Sequence, residues 1–185
     1  MARISARRVH GVVRPGQRDE GPKSLGRAAL QATGFGGFVT VSELRRGRIS
    51  DVPRKPGLYL VFCEKDDPPA FLPISPAGRF DGKDPTVNVS VLKATWVSGA
   101  HILYIGKTNQ QNGLQKRLRD FIEFGAGKPI GHWGGRYLWQ VTDSSEFVIG
   151  WRESPEAVSP RDEERQLLRR FREAYRQLPF ANLKN

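Results

Sequence analysis

The sequence predicts one α/β domain of the α+β type, in which a small, mainly antiparallel sheet of roughly three to five strands is flanked by helices. The length, 185 residues, is typical of a single domain. Two apolar runs, at 57–64 and 101–106, are typical of buried strands. Amphipathic helical patterns follow them, at 114–124 and after Ser159.

Residues 1–36 are predicted to be a basic N-terminal arm, and residues 37–185 the domain itself. The cations of the arm are spread among Gly, Pro and Ser without apolar periodicity: Arg3, Arg7, Arg8, Arg14, Arg18, Lys23 and Arg27. Segments of this composition can settle on a phosphate backbone or stay solvated without a role. Residues 24–32 could form a short helix, which the glycines of 34–37 would end.

Ser42 indicates the start of a further short helix, ahead of the first strand at 57–64. Residues 65–100 are rich in Pro, Gly and Asp, and they are too many for a hairpin turn. They are predicted to be an inserted loop, after which the second strand begins at 101.

The second half of the chain is predicted to contain two long helices with two strands between them. The helix at 114–124 has an apolar face made by Leu114, Leu118, Phe121 and Ile122. Residues 136–141 and 146–153 are predicted to be strands joined by a turn. Ser159, followed by proline, is the N-cap of the last helix, and Pro179 ends it.

The charge of the chain indicates a polyanionic partner. Thirty Lys and Arg against nineteen Asp and Glu give a formal net charge of +11, and the pI is about 10.3. Nucleic acid is the commonest partner of such proteins. An anionic membrane is a weaker alternative, since the sequence has neither a long apolar run nor an amphipathic helix with a basic face.

The single cysteine, Cys63, excludes an intramolecular disulfide and a Cys-rich zinc site. Its position in an apolar run predicts a buried structural thiol. The basic N-terminus lacks the apolar region of a secretory signal, so we expect a cytoplasmic protein.

Two tripeptides and the residues after them form an ordered set. The set comprises Gly57-Leu58-Tyr59, Tyr104-Ile105-Gly106, Lys107-Thr108, Arg117 and Glu164 on two helices, and Pro179-Phe180-Ala181-Asn182. It resembles the motif of the GIY-YIG nuclease superfamily, over about residues 56–183. The 44 residues between the tripeptides make the chain more similar to the restriction-type members.

The sequence departs from that pattern at two positions. Leu58 replaces the Ile of the first tripeptide, and Phe121 occupies the helix position where many members carry a His. Whether His132, in a nearby Gly-rich loop, takes the place of that His is open.

The resemblance implies a metal-dependent nuclease with a single divalent ion, Mg²⁺ or Mn²⁺, held by Glu164. It implies that Arg117 neutralises the scissile phosphate. Tyr59 is the implied general base, which deprotonates or positions water, and Lys107, Arg117 and the metal could lower its pKa. Tyr104 would join the same hydrogen-bond network. Gly57 and Gly106 would permit close backbone approach beside the tyrosines.

Asn182 would orient neighbouring groups or cap a backbone turn. Glu163 is the rival metal ligand, but Glu164 lies three and four residues before two leucines, on one helix face with them. Glu164 could instead only pair with Arg161. The predicted DNA contacts are Lys116, Arg119, His132 and Arg136. The aromatic residues Trp133, Tyr137 and Trp139 could line a DNA groove or fill the core.

These observations predict a Mg²⁺-dependent DNA endonuclease, used in restriction, phage defence or mobile-element chemistry. RNA stays open as a substrate, and a homodimer is one way to cut both strands. The alternative is a catalytically inactive nucleic-acid-binding module of the same fold, which the missing helix His favours.

Overall fold

The structure, a computed structural model, describes residues 25–65, 69–110 and 112–183. It is an α+β fold built on a four-stranded antiparallel sheet with the strand order β1-β4-β2-β3. The strands are β1 (Gly36–Thr40), β2 (Gly57–Phe62), β3 (Ile102–Thr108) and β4 (Val148–Glu153). The helices are α1 (Arg27–Ala32), α2 (Val41–Arg45), α3 (Val89–Thr95), α4 (Gly113–Gly125) and α5 (Pro160–Tyr175). Short 3-10 helices cover Arg48–Asp51, Trp133–Gly135, Leu138–Gln140 and Ser144–Glu146. The predicted sheet and its flanking helices are confirmed.

The pairing of β2 with β3 brings their tyrosines together. Tyr59 lies opposite Gly106, and Val61 lies opposite Tyr104. Side chains alternate between the two faces of a strand, so Tyr59 and Tyr104 are diagonal neighbours on one face. Because β3 comes last in the strand order, this pair lies next to an edge of the sheet.

The sheet separates two apolar layers. On the face that carries Tyr59, α4 packs through residues such as Leu118 and Phe121. On the opposite face, α1 and α5 pack through residues such as Leu30 and Phe171. Helices α4 and α5 therefore approach the same two strands, β2 and β3, from opposite sides of the sheet.

The strands that carry the tyrosines and the two long helices are present as predicted. The last helix begins at Pro160 but ends at Tyr175, ahead of Pro179, because Arg176 takes the left-handed conformation with a φ of 61°. Cys63 is a free, buried thiol, as predicted. Among the described residues, no helix combines the length and the apolar character that crossing a membrane requires.

Residues 136–141 are not a strand, which corrects the prediction from their alternating pattern. The 3-10 helix Leu138–Gln140 occupies half of this segment. Its Trp139 ring lies 4.5 Å from the ring of Phe121 on α4. The apolar residues here pack against a helix, so their alternation does not reflect strand geometry.

The insertion at 65–100, predicted as a loop, contains helix α3 and is fastened to the domain by Gln140. The fully buried Gln140 side chain donates hydrogen bonds to the backbone oxygens of Leu72 and Val87, at 2.8 and 2.7 Å. Its Oε1 accepts from the backbone N–H of Val87 at 2.8 Å. Three buried hydrogen bonds with one amide therefore fix this segment to the core at Leu72 and at Val87.

Strand β1 is absent from the sequence prediction because it is irregular. A bulge interrupts its pairing with β4 between Gly37 and Val39. The bulge breaks the alternation of apolar residues on which a strand prediction depends. The strand ends at Thr40, whose Oγ1 accepts from Glu43 N at 3.1 Å, so Thr40 caps α2 in place of the predicted Ser42.

The last part of the predicted arm belongs to the folded domain. Leu25, Leu30 and Phe35 are buried in the apolar layer beneath α5. Residues 1–24 lie outside the described residues, so a basic arm there stays a prediction.

Candidate active site at the edge of strand β3

Tyr59 and Tyr104 pack against each other, with ring centroids 5.8 Å apart. Gly106 permits this arrangement, because a Cβ at that position would overlap the Tyr59 ring. At Gly57 a Cβ would instead overlap the carbonyl oxygen of Arg152. The predicted close approach to a tyrosine is therefore found at Gly106. At Gly57 the close neighbour is the backbone of the paired strand β4.

Burial keeps both phenols neutral. It raises the pKa of Tyr59 well above the usual value, proximity to Tyr104 raises it further, and Arg117 opposes the shift. Burial also raises the pKa of Tyr104, against the influence of Arg117. Arg117 lowers the Tyr59 pKa as expected, but in the protein without a metal ion the lost hydration outweighs the guanidinium charge.

Arg117 is held beside both phenols by the start of α4. Gly113 opens this helix with a φ of 56°, where a Cβ would overlap the backbone of Lys55. Gln115 secures the same turn by donating from Nε2 to the backbone oxygen of Val52 at 3.2 Å. The buried Nε–H of Arg117 has no hydrogen-bond partner among the described residues. This donor is closed to solvent, so it is the positive charge of the guanidinium that acts on groups at the cleft.

Glu164 reaches the same edge from the opposite layer. It is half-buried on α5, and burial raises its carboxyl pKa while Lys107 and Arg117 oppose that shift. The Glu164 charge in turn raises the pKa of Tyr104. Side chains from β3, α4 and α5 therefore interact electrostatically at one point of the sheet edge.

Glu163 makes a different contact. Arg152 donates from Nη2 to Glu163 Oε1 at 2.7 Å, and Ser154 donates from Oγ to Oε2. The side chains of Arg152 and Glu163 are 23% and 11% exposed. Glu163 is thus bound to β4 and the segment after it, and Glu164 is the carboxylate beside the phenols.

His132 lies directly behind Tyr59. It is fully buried, and its Nε2 is 3.2 Å from Tyr59 Oη, with the donor set by the His tautomer. Burial lowers the pKa of His132 well below its usual value, and Arg117 lowers it further, so the ring is neutral. Its centroid is 5.1 Å from that of Phe121, the position where the resemblance expects a His. The imidazole therefore lies beside that position, on a different element.

The buried imidazole makes stability depend on pH. Below about pH 6.5 the unfolded chain protonates this His while the folded protein does not, so the unfolded state binds more protons. As the pH is lowered through that range, we expect the free energy of unfolding to fall by up to about 1.4 kcal/mol per pH unit. Urea unfolding between about pH 7.5 and 5.5 measures it. His132→Gln should reduce the dependence of the free energy of unfolding on pH, whereas the change of exposed His101 to Gln should not. Equal slopes for wild type and His132→Gln would show that His132 is not the cause.

Asn182 binds the open edge of β3. Ile105 N donates to Asn182 Oδ1 at 2.9 Å, and Asn182 Nδ2 donates to Ile105 O at 2.8 Å. Next to it, Ala181 N donates to Leu103 O at 2.9 Å. The carboxamide thus occupies the hydrogen-bonding positions of a neighbouring strand and fixes the backbone beside Tyr104.

An open cleft of about 550 Å³ lies at this edge. Its walls include Tyr104, Trp133, Arg136, Glu164 and Asn182. Tyr59 is fully buried behind Tyr104, so Tyr104 is the phenol that faces the cleft. In the described part of the chain, Arg136 lines the cleft, Lys107 and Arg117 lie near its Glu164, and Glu164 is the carboxylate that lines it. This balance favours an anionic ligand.

The four residues predicted to contact DNA are not brought together. Arg136 lines the cleft and stacks over Trp133 at 4.9 Å. Lys116 and Arg119 are exposed on α4, where Lys116 is ion-paired within its own helix. His132 is fully buried, so it has no surface with which to contact DNA.

The aromatic residues near His132 divide between the two roles that the sequence left open. Tyr137 and Trp139 are buried in the core, whereas Trp133 is half-exposed in the cleft.

Arg161 and Arg165 lie outside the motif, yet both lower the pKa of Glu164. The three-residue spacing of Arg161 and Glu164 already indicated their proximity in the sequence, whereas Arg165 is simply the next residue along the helix.

Comparison of the chain with protein-family models, with curated proteins and with solved structures gives no match.

Proposed function

We propose that the protein is a divalent-metal-dependent endonuclease that hydrolyses phosphodiester bonds in DNA. One observation carries the proposal: Tyr104 of β3 and Glu164 of α5 line one cleft, and Lys107 of β3 and Arg117 of α4 lie near enough to Glu164 to lower its carboxyl pKa. Their types and order are those of the GIY-YIG motif, which the sequence resembles. The net charge of +11 supports a polyanionic substrate.

The cations of the cleft would bind the scissile phosphate. Arg117 offers a planar guanidinium whose buried Nε–H lacks a partner among the described residues. The guanidinium is half-buried and always charged, so it would attract the phosphate electrostatically from beside the cleft. Lys107, beside Glu164, adds a second positive charge where the transition state gains negative charge.

Glu164 would hold the metal ion. No cluster of three or more His, Cys, Asp or Glu in the described part of the chain is arranged to bind a metal. A single carboxylate such as Glu164 does not suit zinc. It fits Mg²⁺ or Mn²⁺, which bind through one or two carboxylates, water and substrate phosphate. When bound, such an ion supplies charge stabilisation and a more acidic water.

The two phenols would orient the attacking water rather than act as phenolates. Both are neutral at neutral pH, because burial raises their pKa values. The Tyr104 hydroxyl faces the cleft, and Tyr59 supports it from behind while contacting His132. A fixed hydroxyl at this point can accept a hydrogen bond from water and set its direction of attack.

Supercoiled plasmid incubated with the protein and Mg²⁺ or Mn²⁺ tests this function. We expect nicked and then linear DNA with the metal, and unchanged plasmid in EDTA, because Glu164 alone cannot activate water. A single site cuts one strand, so linear product at the first appearance of cleavage would indicate a dimer. Binding without cleavage under every metal condition would contradict the proposal and favour the catalytically inactive nucleic-acid-binding module.

A further inference from the structure

Three arginines form a row along the outer side of α5. Arg161, Arg165 and Arg169 are spaced four residues apart, so successive side chains are rotated by only about 40° around the helix axis. All three are exposed. The row rises about 12 Å along the helix, which matches three to four phosphates of one duplex strand along the DNA axis.

The row is poorly neutralised within the protein. Arg165 lies 3.5 Å from Asp162, with both side chains more than half exposed, which makes a weak ion pair. No ion pair of Arg161 or Arg169 is found among the residues described. Like charges four residues apart repel each other in a helix. The row therefore presents positive charge to an external ligand.

The row starts at the proposed metal ligand. Arg161 and Arg165 flank Glu164 on the helix, and both lower its carboxyl pKa. Glu164 lines the cleft, whereas Glu163 is bound to β4. The arginines thus lie on the side of α5 that continues from the cleft.

A membrane fits this surface less well than DNA does. An amphipathic helix binds a bilayer by inserting its apolar face. The apolar face of α5, including Leu167, Leu168 and Phe171, is buried against the sheet. What remains outside is a rigid row of guanidinium groups, which suits regularly spaced phosphates.

We propose that Arg161, Arg165 and Arg169 form a track for the phosphate backbone of a DNA duplex, leading away from the Glu164 cleft along α5. The proposal rests on the proposed function, since it takes DNA as the ligand of the cleft. The track positions the duplex and carries no base specificity, because phosphate contacts contain no sequence information.

The test is the salt dependence of duplex binding, measured in EDTA so that nothing is cut. The row variant is Arg161→Gln/Arg165→Gln/Arg169→Gln. The control variant, Lys83→Gln/Lys93→Gln/Arg170→Gln, removes the same charge from exposed positions elsewhere, with Arg170 on the other side of α5. We expect the row variant to reduce the slope of log affinity against log salt by up to about 2.7, from 0.9 per contact. The control variant should keep the wild-type slope.

Equal slopes for the two variants would overturn the track, as would a wild type that binds no duplex. A row variant that loses binding to anionic vesicles but keeps its affinity for DNA would overturn it too. Plasmid cleavage by wild type separates the two proposals. If the row variant has the reduced slope and wild type never cuts, the track stands and the nuclease fails. If wild type cuts and the slopes are equal, the nuclease stands and the track fails.

Discussion

Replacing Glu164 with Gln is expected to abolish cleavage of plasmid DNA by the protein while leaving duplex binding largely intact. The amide keeps the shape of the side chain but removes the charge, and among the described residues Glu164 is the one carboxylate that lines the cleft. Binding should persist or strengthen slightly, because it depends mostly on cation–phosphate contacts. Plasmid cleavage with Mg²⁺ and duplex affinity in EDTA measure the two effects separately.

Glu163→Gln is the matched control, one residue away with the same chemical change. We expect it to cut DNA, because Glu163 contacts Arg152 and Ser154 rather than the phenols. It should lose about 1–3 kcal/mol of stability, since the partly buried guanidinium loses its charged partner. A dead Glu163→Gln beside a normally active Glu164→Gln would show that the metal ligand is assigned wrongly.

Tyr59→Phe is expected to reduce the cleavage rate on the order of 10²-fold or more. The change keeps the buried ring and deletes only the hydroxyl, which contacts His132 at 3.2 Å and adjoins Tyr104 and Arg117. Without it, Tyr104 loses the neighbouring hydroxyl with which it interacts. Single-turnover cleavage rates at saturating protein give the comparison directly.

Tyr137→Phe is the control for this change, because Tyr137 is a buried tyrosine that stacks near Phe180, in a different part of the same core. It should cut at close to the wild-type rate. Tyr59→Phe also leaves His132 Nε2 without its partner, so a stability loss of about 1–3 kcal/mol is expected. Near-normal cleavage by a folded Tyr59→Phe would mean that Tyr59 serves packing alone.

The parts of the fold that follow regular periodicity could be predicted from the sequence. Strand β2 and the first four residues of β3 form continuous apolar runs, and α4 and α5 have apolar faces at helical spacing. These patterns place the two tyrosines, Arg117 and Glu164 on the right elements. Irregular backbone defeats the same reasoning: the bulge at Gly37 hides β1, and glycines 134 and 135 precede aromatic residues that imitate a strand.

The internal order of the site could not be predicted, because it depends on burial. The sequence places Tyr59 and Tyr104 on neighbouring strands, but which phenol faces the cleft depends on how α4 covers them. Similarly, the contact between His132 and Tyr59 joins residues 73 positions apart. Tyr59 and His132 are both neutral because burial removes their hydration, and no local sequence pattern reports that burial.

The Asn182 amide that pairs with the edge of β3 is made long after the strand itself during synthesis. Ile105 receives its partner Asn182 only after 77 further residues have been made, which takes on the order of 4 to 15 s at ribosomal speeds of about 5–20 residues per second. During that interval the strand exposes unpaired backbone groups that can join another nascent chain. Lys107 on the same strand reduces this hazard, since a charged side chain on an edge disfavours edge-to-edge pairing. Aggregation of newly made chains should therefore increase more with Asn182→Ala when Lys107 is also replaced by an apolar residue.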